Sequence, residues 1–417
     1  MSLDLVVVGA GAAGLWAAAR AAELGRAVVV LEKTARTGTK VLASGGTRCN
    51  LTTTLRPDDA ARLFGPHGER FLRRAFRQLP PAAVRERFAA LGVPTVEAPL
   101  EKVFPASDRA RDVRDALERW ARGAGAEIRF NAEVAAVEAG DAGWTLRLAD
   151  GEALSCATLF LCPGGKSYPR TGTTGDGYPW LEALDLPVVE PVPALVPLKS
   201  PAGWARALSG VALQDADVRL VDGAGRVRGR RTRPVVFTHQ GVSGPGAMDL
   251  SEPVARRAAD EELLLELDLV PAVERDELRA ALIAGAALPG APALPGALAR
   301  VLNDAPPKRL VGAAARQAGL GDEPPRANAL NRAGRHDLVE ALKRLRVPVD
   351  GTLGWDKAEV TAGGLDLRAV DPGSLRVRGR EGLFVFGELL DLSGPIGGLN
   401  FQAAFATAEL AARAAAG

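Results

Sequence analysis

The residues best suited to chemistry lie at the front of the chain. Gly9-x-Gly11-x-x-Gly14 follows a short apolar run, Leu5–Val8, and opens a helical segment. A second apolar run, Val28–Leu31, closes on Glu32. Strand, glycine turn, helix, strand and acid in this order make up the dinucleotide-binding fingerprint. Gly9 permits the tight turn, Gly11 lets backbone approach a pyrophosphate, and Gly14 lets the helix pack close to the strand. Free N–H groups at the helix start, where Ala12 and Ala13 stand, attract phosphate charge together with the helix dipole. Glu32 is placed to accept hydrogen bonds from a ribose. The pattern predicts an adenine dinucleotide, and these residues alone do not choose between NAD and FAD.

Two more glycine loops follow strand-like segments. Pro163-Gly164-Gly165 follows Thr158–Cys162, and the loop from Gly387 to Gly398 follows Gly382–Phe386. Ligands of open α/β sheets collect at the carboxyl ends of strands. Three such loops at one sheet edge can cradle a long ligand from several sides. A ligand clasped by both ends of the chain is long and resident, which favours FAD. No second Gly-x-Gly-x-x-Gly with strand context appears, so a separate NAD(P)H domain is not expected. The middle of the chain then reads as an insertion.

The elements that must position these loops are legible in outline. Residues 58–92 read as helices broken at Pro80-Pro81, and Val113–Ala124 as another helix. Ile128–Val137 and Trp144–Leu148 read as strands joined by a turn over 140–143. The stretch from Thr37 to Thr52 is too polar and glycine-rich for a regular element. Pro187–Pro201 and Pro348–Gly354 look like boundaries. Residues 208–240 alternate as strands do, 270–345 read mainly as helices, and Ala403–Ala415 forms a last helix.

At 417 residues the chain is expected to hold two or three domains. Hydrophobic content of 47% with 24% charged residues is that of a soluble globular protein. A net charge of +2 exerts no global pull on nucleic acid, which is not expected as a partner. One basic cluster, Arg226–Arg233 (RVRGRRTR), reads as a solvated hairpin. Three cysteines without C-x-x-C spacing suggest neither a disulfide framework nor a metal site. A reducing cytoplasm fits them. The opening apolar stretch lacks a basic leader and carries Asp4, three glycines and Arg20, so neither a signal peptide nor a membrane span is expected.

Several motifs together carry a family resemblance. They are the fingerprint; Lys40–Asn50 (KVLASGGTRCN); Pro163–Tyr178 (PGGKSYPRTGTTGDGY); Thr238–Pro245 (THQGVSGP); Glu359–Leu365 (EVTAGGL); and Phe386–Ala408 (FGELLDLSGPIGGLNFQAAFATA). In this order the chain resembles the HI0933-like, or YhiN-like, FAD-dependent flavoproteins, also labelled aminoacetone-oxidase-like and related to bile-acid flavoprotein reductases. It departs from them at Thr47, where a third glycine is usual, and at Leu399-Asn400-Phe401, where Tyr-Asn-Leu is usual. The resemblance implies an α/β fold with a discontinuous Rossmann-type FAD-binding domain over 1–190 and 355–417. It also implies an inserted β-barrel-like domain over 191–265 and 346–354, and a small helical domain over 266–345.

On the same basis, Gly9, Gly11 and Gly14 contact the pyrophosphate and Glu32 the ribose. Ser44, Gly45, Gly46 and Arg48 run along the phosphate or flavin side, and Gly387 with Glu388 lies near the ribitol. The helix beginning near Asn400 aims its N-terminus at the flavin, where it favours negative charge by roughly 0.3–1 kcal/mol. Lys33, Lys40, Asn50, Val134, Pro163, Gly164 and Gly165 are also expected at the cofactor. So are Asp391, Gly397, Gly398, Phe401 and Gln402.

His239 is a candidate proton donor, with loop ordering as its other reading. Tyr168 and Lys166 are candidates for the substrate side or plain loop residues. Arg48 faces either an anion or a surface partner. Cys49, lacking a paired thiol, reads as a small packing residue, and Asp176 as a helix cap. The implied activity is hydride transfer between NAD(P)H, a transient reductant, and a small keto or enone substrate through bound FAD. Two alternatives stand beside it: amine or alcohol oxidation with O₂, and a flavoprotein acting on RNA or binding flavin without turnover. The oligomeric state is left open.

Overall fold

Val6, Val7 and Val8 offer no polar face to solvent. Buried and β-branched, they place β1 (Leu3–Val8) in the middle of a sheet. The computed structural model describes residues 2–140, 143–290 and 292–417. The chain forms two compact units, Met1–Pro193 with Trp355–Gly417, and Ala194–Gly354.

In the first unit β1 lies parallel to β2 (Val28–Glu32), which lies parallel to β3 (Glu127–Phe130). On its other side β1 pairs in parallel with β6 (Ala153–Leu161). A hairpin of β4 (Val134–Gly140) and β5 (Gly143–Leu148) continues antiparallel from β6. Residues 141 and 142 of the expected turn lie outside the described residues. A smaller pair joins β7 (Val188–Ala194) to β8 (Val360–Leu365). β9 (Leu383–Val385) returns from far along the chain to pair in parallel with β6. The result is a parallel Rossmann-type core whose strand ends are fed by both halves of the sequence.

The strand expected over Ile128–Val137 is in fact two. Asn131 takes φ +55, a left-handed turn that asparagine tolerates. It sends β3 into the parallel sheet and β4 into the hairpin. The stretch expected to be irregular contains a short helix, α2 (Thr39–Ala43), and a 3₁₀ turn, Ser44–Thr47. A hairpin of Thr95–Ala98 and Lys102–Pro105 has no counterpart in the sequence reading.

α1 (Ala12–Glu23) is alanine-rich, which suits a helix. It packs along the C-terminal helix, Leu399–Ala416, with Trp16 and Phe405 ring centroids 4.9 Å apart. Between the two helices Glu409 is buried and accepts from Trp16 Nε1 at 3.0 Å and from Arg20 and Arg413.

The second unit has two antiparallel sheets. One runs Ala212–Leu213, Val235–Thr238, Gly241–Ser243, Leu198–Lys199 and Gly351–Thr352. The other runs Val227–Thr232, Asp217–Asp222, Leu263–Asp268 and Leu345–Val349. Helices Arg275–Ala286, Leu294–Val301, Lys308–Gln317 and Arg332–Lys343 share one apolar core with these strands. The arginines of the Arg226–Arg233 cluster are spent on carboxylates: Arg226 on Asp222, Arg228 on Glu261, Arg230 on Asp217, and Arg231 and Arg233 on Asp249.

Candidate cofactor site

The glycine turn between β1 and α1 is built by close approach. Gly9 has φ +101, and a Cβ there would stand 2.7 Å from the Cys162 carbonyl oxygen and 2.8 Å from the Pro163 Cα. A Cβ on Gly14 would stand 1.8 Å from the Gly9 carbonyl oxygen. The first and third glycines therefore let the turn, α1 and the Pro163 loop pack together. Gly11 is different, because a Cβ there would meet no protein atom within 4 Å. It is the N-cap of α1, which has no side-chain cap and no acid in its first turn. The amides of Ala12 and Ala13 thus begin a helix end that draws an anion.

Glu32 closes β2 and bends over this turn. Its carboxylate accepts from the Ala10 amide at 3.0 Å and from the Thr34 amide at 2.9 Å. The Ala132 amide donates to the Glu32 carbonyl at 3.0 Å, which brings the start of β4 at Val134 beside the same strand end. Lys33 reaches the Thr174 hydroxyl at 2.7 Å and pairs with Asp176. Asp176 therefore spends its carboxylate on Lys33 and Thr174, and no side chain caps the following helix, Gly177–Ala183.

From the turn the track passes along Gly387, whose added Cβ would stand 3.1 Å from Ala13 Cβ. Its neighbour Glu388 is the hub of a polar cluster. Lys40 Nζ donates to Glu388 at 2.5 Å and to Ser167 Oγ at 2.6 Å. Ser167 Oγ donates to Glu388 at 2.9 Å, and so does the Thr361 amide at 2.9 Å. The Thr361 hydroxyl accepts from the Lys166 amide at 2.8 Å. An added Cβ on Gly165 would collide with Thr361 Oγ1 at 2.3 Å, which is how the Pro163–Gly165 loop comes so near. Burial disfavours the charged form of Glu388. The Lys40 ammonium, the Ser167 hydroxyl and the Thr361 amide outweigh it and hold the carboxyl below its ordinary range. Tyr178 is buried beside this cluster, with its hydroxyl near that of Thr361. Burial and then the Glu388 charge push its ionisation up.

The far end of the track joins the Ser44–Asn50 loop to the C-terminal helix. Gly398 caps that helix at φ +79, and an added Cβ would meet Thr52 O at 2.0 Å and Asn50 Oδ1 at 2.9 Å. Asn50 Oδ1 also accepts from the Val103 amide. A Cβ on Gly397 would come no nearer than 4.0 Å to any neighbour. Asn400 clasps Gly394 through both its amide atoms, at 2.8 and 2.9 Å. Phe401 is half-buried and stacks on Phe405. Gln402 is fully buried, accepting from Thr52 at 2.6 Å and donating to the Leu79 carbonyl at 2.7 Å. Asp391 accepts from the Gly363 amide at 3.1 Å.

Gly45, Gly46 and Thr47 are all left-handed, with Thr47 at φ +71. Arg48 lies over the Phe104 ring and pairs with Asp108 at 2.5 Å. Cys49 is fully buried, and burial pushes its thiol up to about 12. Tyr168, at φ +57, donates its amide to the Trp355 carbonyl, and Lys166 lies over the Trp355 ring. His239 belongs to the second unit, exposed in the turn between Val235–Thr238 and Gly241–Ser243, where Thr238 Oγ1 accepts the Gln240 and Gly241 amides.

Ser167, Thr361 and Tyr178 were not assigned site roles from sequence. Each sits in a quoted motif, but only burial around Glu388 singles them out.

The HI0933-like protein Rossmann domain model matches residues 3–414. The chain belongs to this family. It is a flavoprotein of the oxidoreductase class, with a Rossmann fold for FAD. The chain is 32% identical over 413 residues to a 3-dehydro-bile acid delta(4,6)-reductase of Clostridium scindens, covering 98% of each. It is 30% identical over 412 residues to a ribosomal RNA dihydrouridine synthase of Escherichia coli K12, covering 97% of this chain and 96% of that one. A 3-ketosteroid-delta4-(5alpha)-dehydrogenase of Rhodococcus jostii RHA1 shares the fold, with a TM-score of 0.53 at 16% identity over 100% of this chain and 97% of that one.

The residues of this flavoprotein fit the cofactor on their own terms. Gly11 leaves open space before an uncapped helix end, and the first and third glycines are locked by their neighbours. Glu32 accepts from the Ala10 amide in the glycine turn, Gly387 lies against Ala13 at the start of α1, and Glu388 follows Gly387, all within one unit. No group of three or more His, Cys, Asp or Glu side chains among the described residues is placed to hold a metal. No helix among them is long and apolar enough to cross a membrane.

Proposed function

We propose that this chain catalyses NAD(P)H-linked saturation of a C=C bond conjugated to a carbonyl, with FAD as the resident carrier. The observation that carries the reading is the long cradle in one unit, joined to near-full-length likeness to two relatives. A bile-acid delta(4,6)-reductase and a dihydrouridine synthase act on very different molecules. Yet each name describes adding two hydrogens across a C=C conjugated to a carbonyl. A keto or enone substrate fits that shared step.

Bound FAD supplies the capacity to accept a hydride on one occasion and give it up on another. The chain's own residues bind and orient. The N-terminus of α1 and the open side of Gly11 hold the pyrophosphate, and Glu32 accepts ribose hydroxyls. Lys40 and Glu388 hold the middle of the track, with Lys40 keeping the carboxylate charged. The N-terminus of the C-terminal helix, left without a side-chain cap, favours negative charge at its end. His239 remains the proposed proton donor and Tyr168 a proposed residue of the substrate side.

Anaerobic mixing of the yellow protein with NADH, NADPH and a panel of amines tests this, followed by an enone or a uridine nucleoside. Bleaching of the flavin by a nicotinamide and its recovery on adding the conjugated substrate are expected. Bleaching by amines with none by NADH or NADPH would overturn the reading in favour of an oxidase.

A further inference from the structure

Between residues 56 and 78 lie six arginines and three carboxylates. The whole chain has a formal net charge of only +2, so everything outside this stretch is net negative. The stretch forms α3 (Pro57–Arg62) and α4 (Gly65–Gln78). α4 buries Phe71, Leu72, Ala75 and Phe76 and exposes Arg70, Arg73, Arg74 and Arg77. Those four stand at i, i+3, i+4 and i+7, which is one face of a helix. With Gln78 they line a cleft of ≈ 360 Å³.

The pairing on this face is incomplete. Arg73 meets Glu69 at 2.8 Å and Arg77 meets Asp58 at 2.8 Å. Among the described residues Arg70 and Arg74 form no ion pair. Arg70 turns to the Pro66 carbonyl and the His67 ring, and Arg74 leans over Gly373 on the side of Asp371, whose carboxyl its charge helps to lower without a direct ion pair. Like charges at these spacings destabilise a helix, and the apolar packing of α4 is complete without them. The Arg226–Arg233 cluster is the opposite case, because every arginine there has a carboxylate.

We propose that the arginine face of α4 docks the phosphate backbone of RNA. Guanidinium forks in a row match successive phosphates and bind each by paired hydrogen bonds. A membrane is the weaker fit. A helix lying in lipid keeps its apolar face for the bilayer, and here that face is spent on the protein core. RNA is favoured among polyanions because a relative aligned over 97% of this chain is named a ribosomal RNA dihydrouridine synthase. The helix that carries this face, though not the face itself, borders the candidate site at its N-terminal end. Phe64, between α3 and α4, packs on Gly394 in the loop that leads into the C-terminal helix. The purpose of the dock, though not its geometry, rests on the reductase reading above.

The test uses the full flavin-loaded chain and a fluorescent short RNA hairpin, with anisotropy followed as salt is raised. The double variant Arg70→Glu/Arg74→Glu is compared with the parent, and flavin content and melting temperature report its fold. The parent is expected to bind with steep salt dependence. The variant is expected to bind at least roughly tenfold more weakly, with the salt slope shallower by about 1 for each arginine lost. Equal binding by the two proteins, no RNA binding by the parent, or tighter capture by phosphatidylserine vesicles than by RNA would overturn the proposal. The two readings fail separately. A protein that bleaches with NADH and recovers with an enone but ignores RNA loses only the dock. One that grips RNA through α4 but takes no hydride from NADH or NADPH loses only the reductase reading.

Discussion

Lys40 Nζ lies 2.5 Å from Glu388 Oε2, although the two residues are 348 positions apart in the chain. The pair ties α2, the short helix after the fingerprint, to the segment that follows β9 near the C-terminus. Lys40→Met strands a partly buried carboxylate with one fewer donor. The loss of stability is expected to fall below the roughly 3–5 kcal/mol of a fully buried pair, because about a fifth of each side chain meets solvent. The same variant should release flavin more readily. Thermal melting and flavin absorbance after gel filtration measure both, and a variant matching the parent in both would show that the pair does not hold this site.

The three fingerprint glycines should fail in different ways. Gly14→Ala drives a methyl into the Gly9 carbonyl, 1.8 Å away, so the fold itself must shift. Gly11→Ala meets no protein atom. Its apo-protein should melt close to the parent while its affinity for FAD drops. Calorimetric melting with and without added FAD separates the cases. Equal destabilisation of both apo-proteins would contradict the assignment of Gly11 to ligand approach.

The fingerprint was legible because its logic is local. Spacing, flanking strands and the closing acid all lie within Asp4–Glu32, and the structure places them as a βαβ unit. The clasp by both chain ends was legible only as an analogy between glycine loops, yet β9 does pair with β6. The Lys40–Ser167–Thr361–Glu388 cluster was not legible as a cluster. Its members come from four distant segments, and no periodicity links them. Asp176 misled for a related reason, since its neighbours in sequence suggested a cap while its partner in space is Lys33. The Arg70–Arg77 face was hidden by averaging, because a near-zero net charge conceals a local surplus.

Cys49 is fully buried, and its thiol is pushed up to about 12 by that burial. It should therefore resist alkylation by iodoacetamide at neutral pH in the folded protein and react only after denaturation. Cys49→Ala should leave the rate of flavin reduction unchanged. Rapid labelling of the native protein at this position, read by mass spectrometry of peptides, would contradict the packing role.

Thr47 holds φ +71, a region costly for a β-branched residue. Glycine, usual here in the resembling family, adopts it freely. Thr47→Gly should stabilise the folded chain by about 1 kcal/mol or less, since glycine's extra freedom when unfolded offsets part of the relief. Denaturant unfolding measures it, and a loss of stability would mean the Thr47 side chain makes an attraction larger than its strain.

Glu409 gives the fold its sharpest expected response to acid. Burial disfavours its charge, but the Trp16 N–H, Arg413 and Arg20 outweigh burial and hold its carboxyl below the ordinary value. A carboxyl lowered in the folded state contributes its full stability above the unfolded value of about 4.3, and that contribution is lost as pH falls through the folded value. Protonation would leave Arg20 facing a neutral partner between α1 and the C-terminal helix, the two helices whose N-termini are proposed to serve the cofactor. Flavin should therefore leave as the acid transition begins. Glu409→Gln keeps the shape, lowers stability at neutral pH by roughly 1–3 kcal/mol, and flattens the acid limb of the stability curve. Unfolding free energies measured from neutral pH into the acid range decide it. An unchanged acid limb in the variant would place the acid sensitivity elsewhere, with Glu388 the next carboxyl to test.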